Sequence, residues 1–179
     1  SAASDVYKRQ PIYSHDRTEN HPLIIAGGHA TFNPEPMHAF IDAFVIGEGE
    51  EVIQEIIDVY LEWAERKSER QSLLHNLSQI WGVYVPSLYK PYYNPDGSLS
   101  GMYKLYEKAP LPILKRIVPK LPKPITHLLV PYIDITHNRI PIEIMRGCTR
   151  GCRFCYAGMI TRPVRELSLI HISEPTRPY

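Results

Sequence analysis

The chain has 179 residues, 44% apolar and 22% charged, with a formal net charge of +1. That balance suits one ordinary domain, or parts of two, with a buried core. It gives no electrostatic reason to expect nucleic acid or a membrane surface as a partner. No apolar run approaches the roughly 18 residues of a spanning helix, so no membrane segment is expected.

The two ends read as foreign. Asp5 to Gln10 can be encoded GAT GTG TAT AAG AGA CAG, and the reverse complement of that string translates as Leu-Ser-Leu-Ile-His-Ile, the residues Leu167 to Ile172. Inverted ends of this kind are what sequencing adapters leave on an insert. Residues 1–10 and 167–179 are therefore expected to be adapter-derived tails, outside any fold. Pro11 to Glu166 is then expected to be an internal piece of a longer protein.

Pro22-Leu-Ile-Ile-Ala26, stopped by Gly27-Gly28, suits a buried parallel strand entering a tight loop. Asp42-Ala-Phe-Val-Ile46, stopped by Gly47-Glu48-Gly49-Glu50, repeats the pattern. An amphipathic helix should follow. Val52, Ile53, Ile56, Ile57, Tyr60, Leu61 and Ala64 recur at helical spacing, with Glu51, Glu55, Asp58, Glu62 and Glu65 opposite. Glu48, Glu50 and Glu51 suit its positive N-terminal end, and the helix should fade into Lys67–Gln71. This rhythm is that of a doubly wound (flavodoxin-like) α/β domain, of which the last half is present, over residues 11–80.

Trp81-Gly-Val-Tyr-Val-Pro86 and Met102-Tyr-Lys-Leu-Tyr106 flank the turn sequence Asn94-Pro-Asp-Gly97, predicting a hairpin or small meander. Its tyrosines (84, 89, 92, 93, 103 and 106) could stack bases, but no basic groove accompanies them, and packing on a small sheet is the expectation. Ala109 to Pro131 is proline-rich and reads as an extended connector, with one helical turn near Ile113–Val118. Lys115, Arg116, Lys120 and Lys123 are expected on its solvated face. Residues 81–131 thus form hairpin plus connector.

Ile140-Pro-Ile-Glu-Ile-Met145 alternates like a strand and runs into Arg146-Gly-Cys148-Thr-Arg-Gly-Cys152-Arg-Phe-Cys155. All three cysteines of the chain fall within these eight positions, too close and too few for a disulfide framework. Thiolates spaced C-x3-C-x2-C can hold three irons of a cubane cluster and leave the fourth open, and Fe–S cores require such soft donors. Gly147 and Gly151 let the backbone wrap closely. Arg146, Arg150 and Arg153 favour the thiolate form. A structural zinc site would need a fourth ligand, and His137 stands on the wrong side. A ferredoxin-type carrier would need a fourth cysteine. Merely structural thiols would not cluster at ligand spacing.

These residues, with Ala157-Gly-Met-Ile-Thr-Arg-Pro-Val-Arg-Glu166, resemble the radical S-adenosylmethionine (SAM) superfamily. More closely, the chain resembles uncharacterised bacterial radical SAM proteins with an N-terminal cobalamin-binding-like domain. Leu23-Ile-Ile-Ala-Gly-Gly-His-Ala30 and Asp42 to Glu50 are similar to the second half of that domain. The resemblance implies that Cys148, Cys152 and Cys155 ligate a 4Fe-4S cluster and that the backbone around Phe154 lies near the SAM adenine. Reductive cleavage of SAM would then give methionine and a 5′-deoxyadenosyl radical, which abstracts hydrogen from an unknown substrate. Residues 132–166 would begin a radical SAM (β/α) barrel. Gly27 and Gly28 would approach the cobalamin nucleotide tail, with Gly47, Glu48, Gly49 and Glu50 closing that domain. The Asp-x-His-x-x-Gly segment that supplies the axial histidine to cobalt is absent, which leaves cobalamin open, and His29 is expected to be a solvent-exposed loop residue. Such an enzyme would be cytoplasmic and take electrons from a flavodoxin or ferredoxin. No catalytic side chain is assigned, and the piece alone is expected to be inactive. The alternative is a non-catalytic iron–sulfur module with a redox-sensing or structural role.

Overall fold

The computed structural model describes residues 10–122, 132–133, 136 and 143–167. Nearly all of both tails, the first half of the Ile140–Met145 run, Lys123 and His137 lie outside them. The chain is mixed α/β and divides into two units, Ser1–Val118 and Pro119–Tyr179. No helix among the described residues is long and apolar enough to cross a membrane.

The first unit is built on a three-stranded sheet in the order β1 (Ile25–Ala26), β2 (Ala43–Val45), β3 (Val83–Tyr84). β1 and β2 are parallel, with Ile25 opposite Ala43 and Ala26 opposite Phe44. Both arise from the apolar runs that glycine stops, and β2 is buried at every position, as a strand covered on both faces requires. β3 differs from expectation. It comes from the Trp81–Pro86 run, yet it joins the sheet antiparallel to β2, with Phe44 opposite Tyr84 and Val45 opposite Val83. The reason is burial: Val83, Tyr84 and Val85 are at most 5% exposed, and a half-solvated hairpin cannot cover three successive side chains.

Helix α1 (Val52–Arg66) follows β2 as its periodicity predicts. Val52, Ile56 and Trp63 are buried, whereas Ile53, Ile57, Tyr60 and Leu61 are exposed, so the apolar arc is wider than the surface it covers. The helix does not fade. It stops at Arg66, with Lys67 in the left-handed region at φ 50°. A second helix, α2 (Arg70–Leu77), buries Leu73, Leu74 and Leu77.

The hairpin strands lie closer to the turn than the flanking sequences suggest, pairing β4 (Tyr89–Tyr93) with β5 (Leu99–Lys104). Its turn is the expected one. The Gly97 N–H donates to the Asn94 carbonyl at 2.9 Å, and Asp96 accepts from the Ser98 N–H and hydroxyl. The Tyr92 and Tyr103 rings stack at 4.3 Å on this hairpin.

Two core tyrosines make the unit sensitive to alkali. Burial, and then the hydrogen bond that the Tyr84 hydroxyl donates to Glu35, push Tyr84 well above its ordinary value, and burial pushes Tyr89 up to about 12. A group with a raised folded-state pKa contributes fully below its unfolded pKa of about 10 and loses that contribution as pH climbs through the folded value. Stability is therefore expected to decline between about pH 10 and 12. Alkaline titration with tyrosinate absorbance and far-UV circular dichroism should show ionisation of the core tyrosines coinciding with unfolding. Their ionisation in an intact fold would contradict this.

The segment after the hairpin is not the free connector expected. Ile113–Val118 contains no helical turn; it is extended, and Arg116 bridges to Gly47 in parallel. The Arg116 N–H donates to the Ile46 carbonyl at 2.8 Å, and the Glu48 N–H donates to the Arg116 carbonyl at 3.2 Å. Lys115 stands over the Phe32 ring, 5.8 Å from its centroid, and Lys120 is exposed.

In the second unit, β6 (Met145–Arg146) pairs antiparallel with β7 (Arg165–Glu166), and the Leu167 N–H donates to the Ile144 carbonyl. Between them come the cysteine loop and one helical turn, α3 (Ala157–Ile160). Where a (β/α) barrel would supply parallel strands, the pairing among the described residues here is antiparallel.

Candidate functional site

β6 leads the chain into the cysteine loop through Gly147, whose φ is 101°. Beyond Cys148 the backbone closes a turn in which the Cys155 N–H donates to the Cys152 carbonyl at 3.1 Å. α3 then begins. Its Gly158 lies close under the loop, since a Cβ there would sit 3.3 Å from the Arg150 carbonyl oxygen. Both ends of the loop are thus fixed, by the β6–β7 pairing and by α3.

All three cysteines are free thiols; Cys148 and Cys155 are partly buried and Cys152 is exposed. The Cys148 sulfur is 4.0 Å from the Arg150 carbonyl oxygen, a long and weak contact. No three His, Cys, Asp or Glu side chains among the described residues are placed to hold a metal ion. The loop therefore carries the three thiols without converging them on one point.

The donor chemistry nevertheless fits an iron–sulfur cluster. From Ile144 to Arg165 the chain has three cysteines, five arginines and no Asp, Glu or His, so the thiols are the foremost donors offered. Arg146 is partly neutralised by Glu143, which accepts from its guanidinium. Arg150 and Arg153 are exposed beside the thiols. Phe154 is 93% exposed, and Tyr156 and Met159 also face solvent.

The second set of candidate residues leaves the parallel strands β1 and β2 at their C-terminal ends, the edge where open α/β sheets bind ligands. Gly28 takes φ 99° and starts a short 3₁₀ turn, while Gly27 and Gly28 face open space. His29 is exposed, as expected of a loop histidine. Gly47 is different. At φ 120° it lies so close to the connector that a Cβ would be 2.2 Å from the Arg116 carbonyl oxygen. The Glu48 carboxylate accepts from the Val118 N–H at 2.6 Å. The Gly49 carbonyl accepts from Ile53 in the first turn of α1, and Glu50 is exposed.

Arg116, expected on a solvated face, is instead an anchor, because its side chain is only 12% exposed and pairs with Glu51 at 2.8 Å and Glu55 at 2.6 Å. Its guanidinium also lies 5.9 Å from the Trp81 ring centroid.

Sequence reasoning missed the most buried charges of the first unit. Asp42, at the start of β2, accepts from the Ser14 hydroxyl at 2.6 Å, the Ile24 N–H at 2.8 Å and Arg70 at 2.9 Å. Arg17 Nη1 stands 3.1 Å from the same carboxylate, a charge contact without hydrogen-bond alignment. The arginines also donate to the carbonyls of Pro11, Ile12, Phe40, Thr18, His21 and Pro22. An acidic residue opening an otherwise apolar run is the one signal that could have marked Asp42. A cavity of about 650 Å³ lies beside Arg17 and Arg70, with Ser14, Leu74 and Tyr89 in its wall.

Residues 7–86 match the family model for the N-terminal region of radical SAM proteins. The cysteine loop lies beyond those residues. Over 187 aligned positions the chain is 26% identical to a Pyrococcus horikoshii protein described as an uncharacterized methyltransferase. The alignment covers 96% of this chain and 35% of the relative, so the chain spans about a third of that protein's length. No solved structure matches it. Residues 7–86 are thus similar to the N-terminal region of radical SAM proteins, over a little under half of the chain.

Proposed function

We propose that the chain is part of a radical SAM enzyme in which Cys148, Cys152 and Cys155 hold a 4Fe-4S cluster. The observation that carries this is a loop anchored at both ends, bearing three free thiols and no Asp, Glu or His from Ile144 to Arg165. When bound, the cluster supplies the electron that cleaves SAM into methionine and a 5′-deoxyadenosyl radical. Arg150 and Arg153, exposed on the same loop, would place positive charge near an anionic cluster. The backbone around Phe154, whose side chain is exposed, would lie near the SAM adenine. Three unpaired thiols fit a reducing cytoplasm, with a flavodoxin or ferredoxin as electron donor. Gly47 and Glu48 are engaged by Arg116 and Val118, which speaks against a cobalamin contact there, and cobalamin is no part of the proposal.

The relative's description supports methyl transfer as the reaction class, with the substrate left unnamed. Anaerobic reconstitution tests the reading. A chain extended to the relative's length, reduced and given SAM, should take up iron and sulfide and release 5′-deoxyadenosine. Cluster uptake without that product would favour a redox-sensing or structural module, and a chain that takes up no iron would refute both.

A further inference from the structure

Gly147 and Gly151 both stand beside a cysteine, and the structure separates their roles. A Cβ on Gly151 would meet nothing within 4 Å. At Gly147, with φ at 101°, a Cβ would lie 2.8 Å from Val164 Cα and 3.0 Å from the carbonyl oxygens of Pro163 and Thr161. These are backbone atoms, which no rotamer change can move. They belong to the segment that returns as β7, where Arg146 lies opposite Arg165 and Met145 opposite Glu166. The strand entering the cysteine loop and the segment leaving it therefore touch at Gly147, next to Cys148.

We propose that Gly147 is a positioning residue for Cys148: by letting the return segment Thr161–Val164 lie against the backbone, it sets where the first thiol enters the loop. Cys152 and Cys155 are outside its reach, since their turn is closed by its own hydrogen bond between Cys155 and Cys152. A side chain at position 147 would push the two backbones apart and displace Cys148 while leaving the other pair of thiols in place. This inference rests on the cluster reading, because it assumes that the three thiols act together on one metal centre.

Cobalt(II), added anaerobically to the 179-residue chain, is the probe, and its thiolate charge-transfer absorption reports how many sulfurs bind. Gly147→Ala should bind cobalt about 10- to 100-fold more weakly, with a spectrum matching that of Cys148→Ala, while far-UV circular dichroism stays native. Gly147→Ala with wild-type affinity and spectrum would overturn the proposal. So would loss of all thiolate signal together with the fold, which would make Gly147 purely structural. A wild-type chain without any thiolate absorption would instead defeat the cluster reading itself, and this inference with it.

Discussion

Cys152→Ala is expected to leave the anaerobically reconstituted protein almost without iron, at least about tenfold below wild type, because two thiolates cannot hold three irons of a cubane. The same substitution should hardly touch stability. Cys152 is exposed, and its side chain makes no hydrogen bond among those described; changes at such surface positions usually shift stability by no more than about 0.5 kcal/mol. The separation of these two effects is what makes the experiment decisive. Iron and acid-labile sulfide are measured alongside the urea midpoint, and lost iron at an unchanged midpoint identifies a ligand. Normal iron content would remove Cys152 from the ligand set. Cys148 and Cys155 are partly buried, so their alanine variants should lose iron equally and a little stability besides.

Asp42→Ala should be the most damaging single change in the first unit. It would leave the Arg17 and Arg70 side chains, 3% and 7% exposed, without their shared countercharge. It would also deprive the Ser14 hydroxyl and the Ile24 N–H of their acceptor. Breaking a buried pair from one side costs about 3–5 kcal/mol, because an uncompensated charge remains behind. Against a typical total of about 5–15 kcal/mol, that is roughly a fifth or more of the stability of such a fold. Urea denaturation followed by tryptophan fluorescence would measure it, since Trp63 is buried in α1 while Trp81 is already exposed. A loss below about 1 kcal/mol would mean that the arginines are held by their carbonyl acceptors alone. The cluster has a clear reason to exist: Arg17 gathers the carbonyls of Pro11, Ile12 and Phe40, and Arg70 those of Thr18, His21 and Pro22. Both guanidiniums then meet at Asp42, at the start of β2.

What the sequence made legible was local. Ala43–Val45 and Ile25–Ala26 read as strands because apolar runs end in glycine, α1 because its apolar spacing is helical, and the hairpin turn because Asn94-Pro-Asp-Gly97 has its own hydrogen bonding. The C-x3-C-x2-C spacing was visible because it is a property of a short segment. What stayed hidden depends on partners distant in the chain. The Trp81–Pro86 run looks the same whether it pairs with a hairpin strand or with β2, and burial alone decides. Arg70 and Asp42 are 28 positions apart. Arg116 and Glu55 are 61 apart, and a basic residue between prolines gives no sign that it has a carboxylate waiting. α2, at eight residues, is too short for its leucines to show a period. Whether three thiols converge is likewise a matter of loop conformation, which spacing permits but does not dictate.

The seating of Arg116 on the sheet edge changes how the preceding stretch has to be counted. Ala109 is 1% exposed and Arg116 is locked to Ile46 and Glu48, so residues 110–115 span a fixed gap between two anchors. A residue added or deleted there would slide Arg116 away from Glu51 and Glu55 and bring a different backbone against Gly47. Length in this stretch is consequently under the same discipline as register in a strand, and the tolerance to insertion usual for a proline-rich tether does not extend to it.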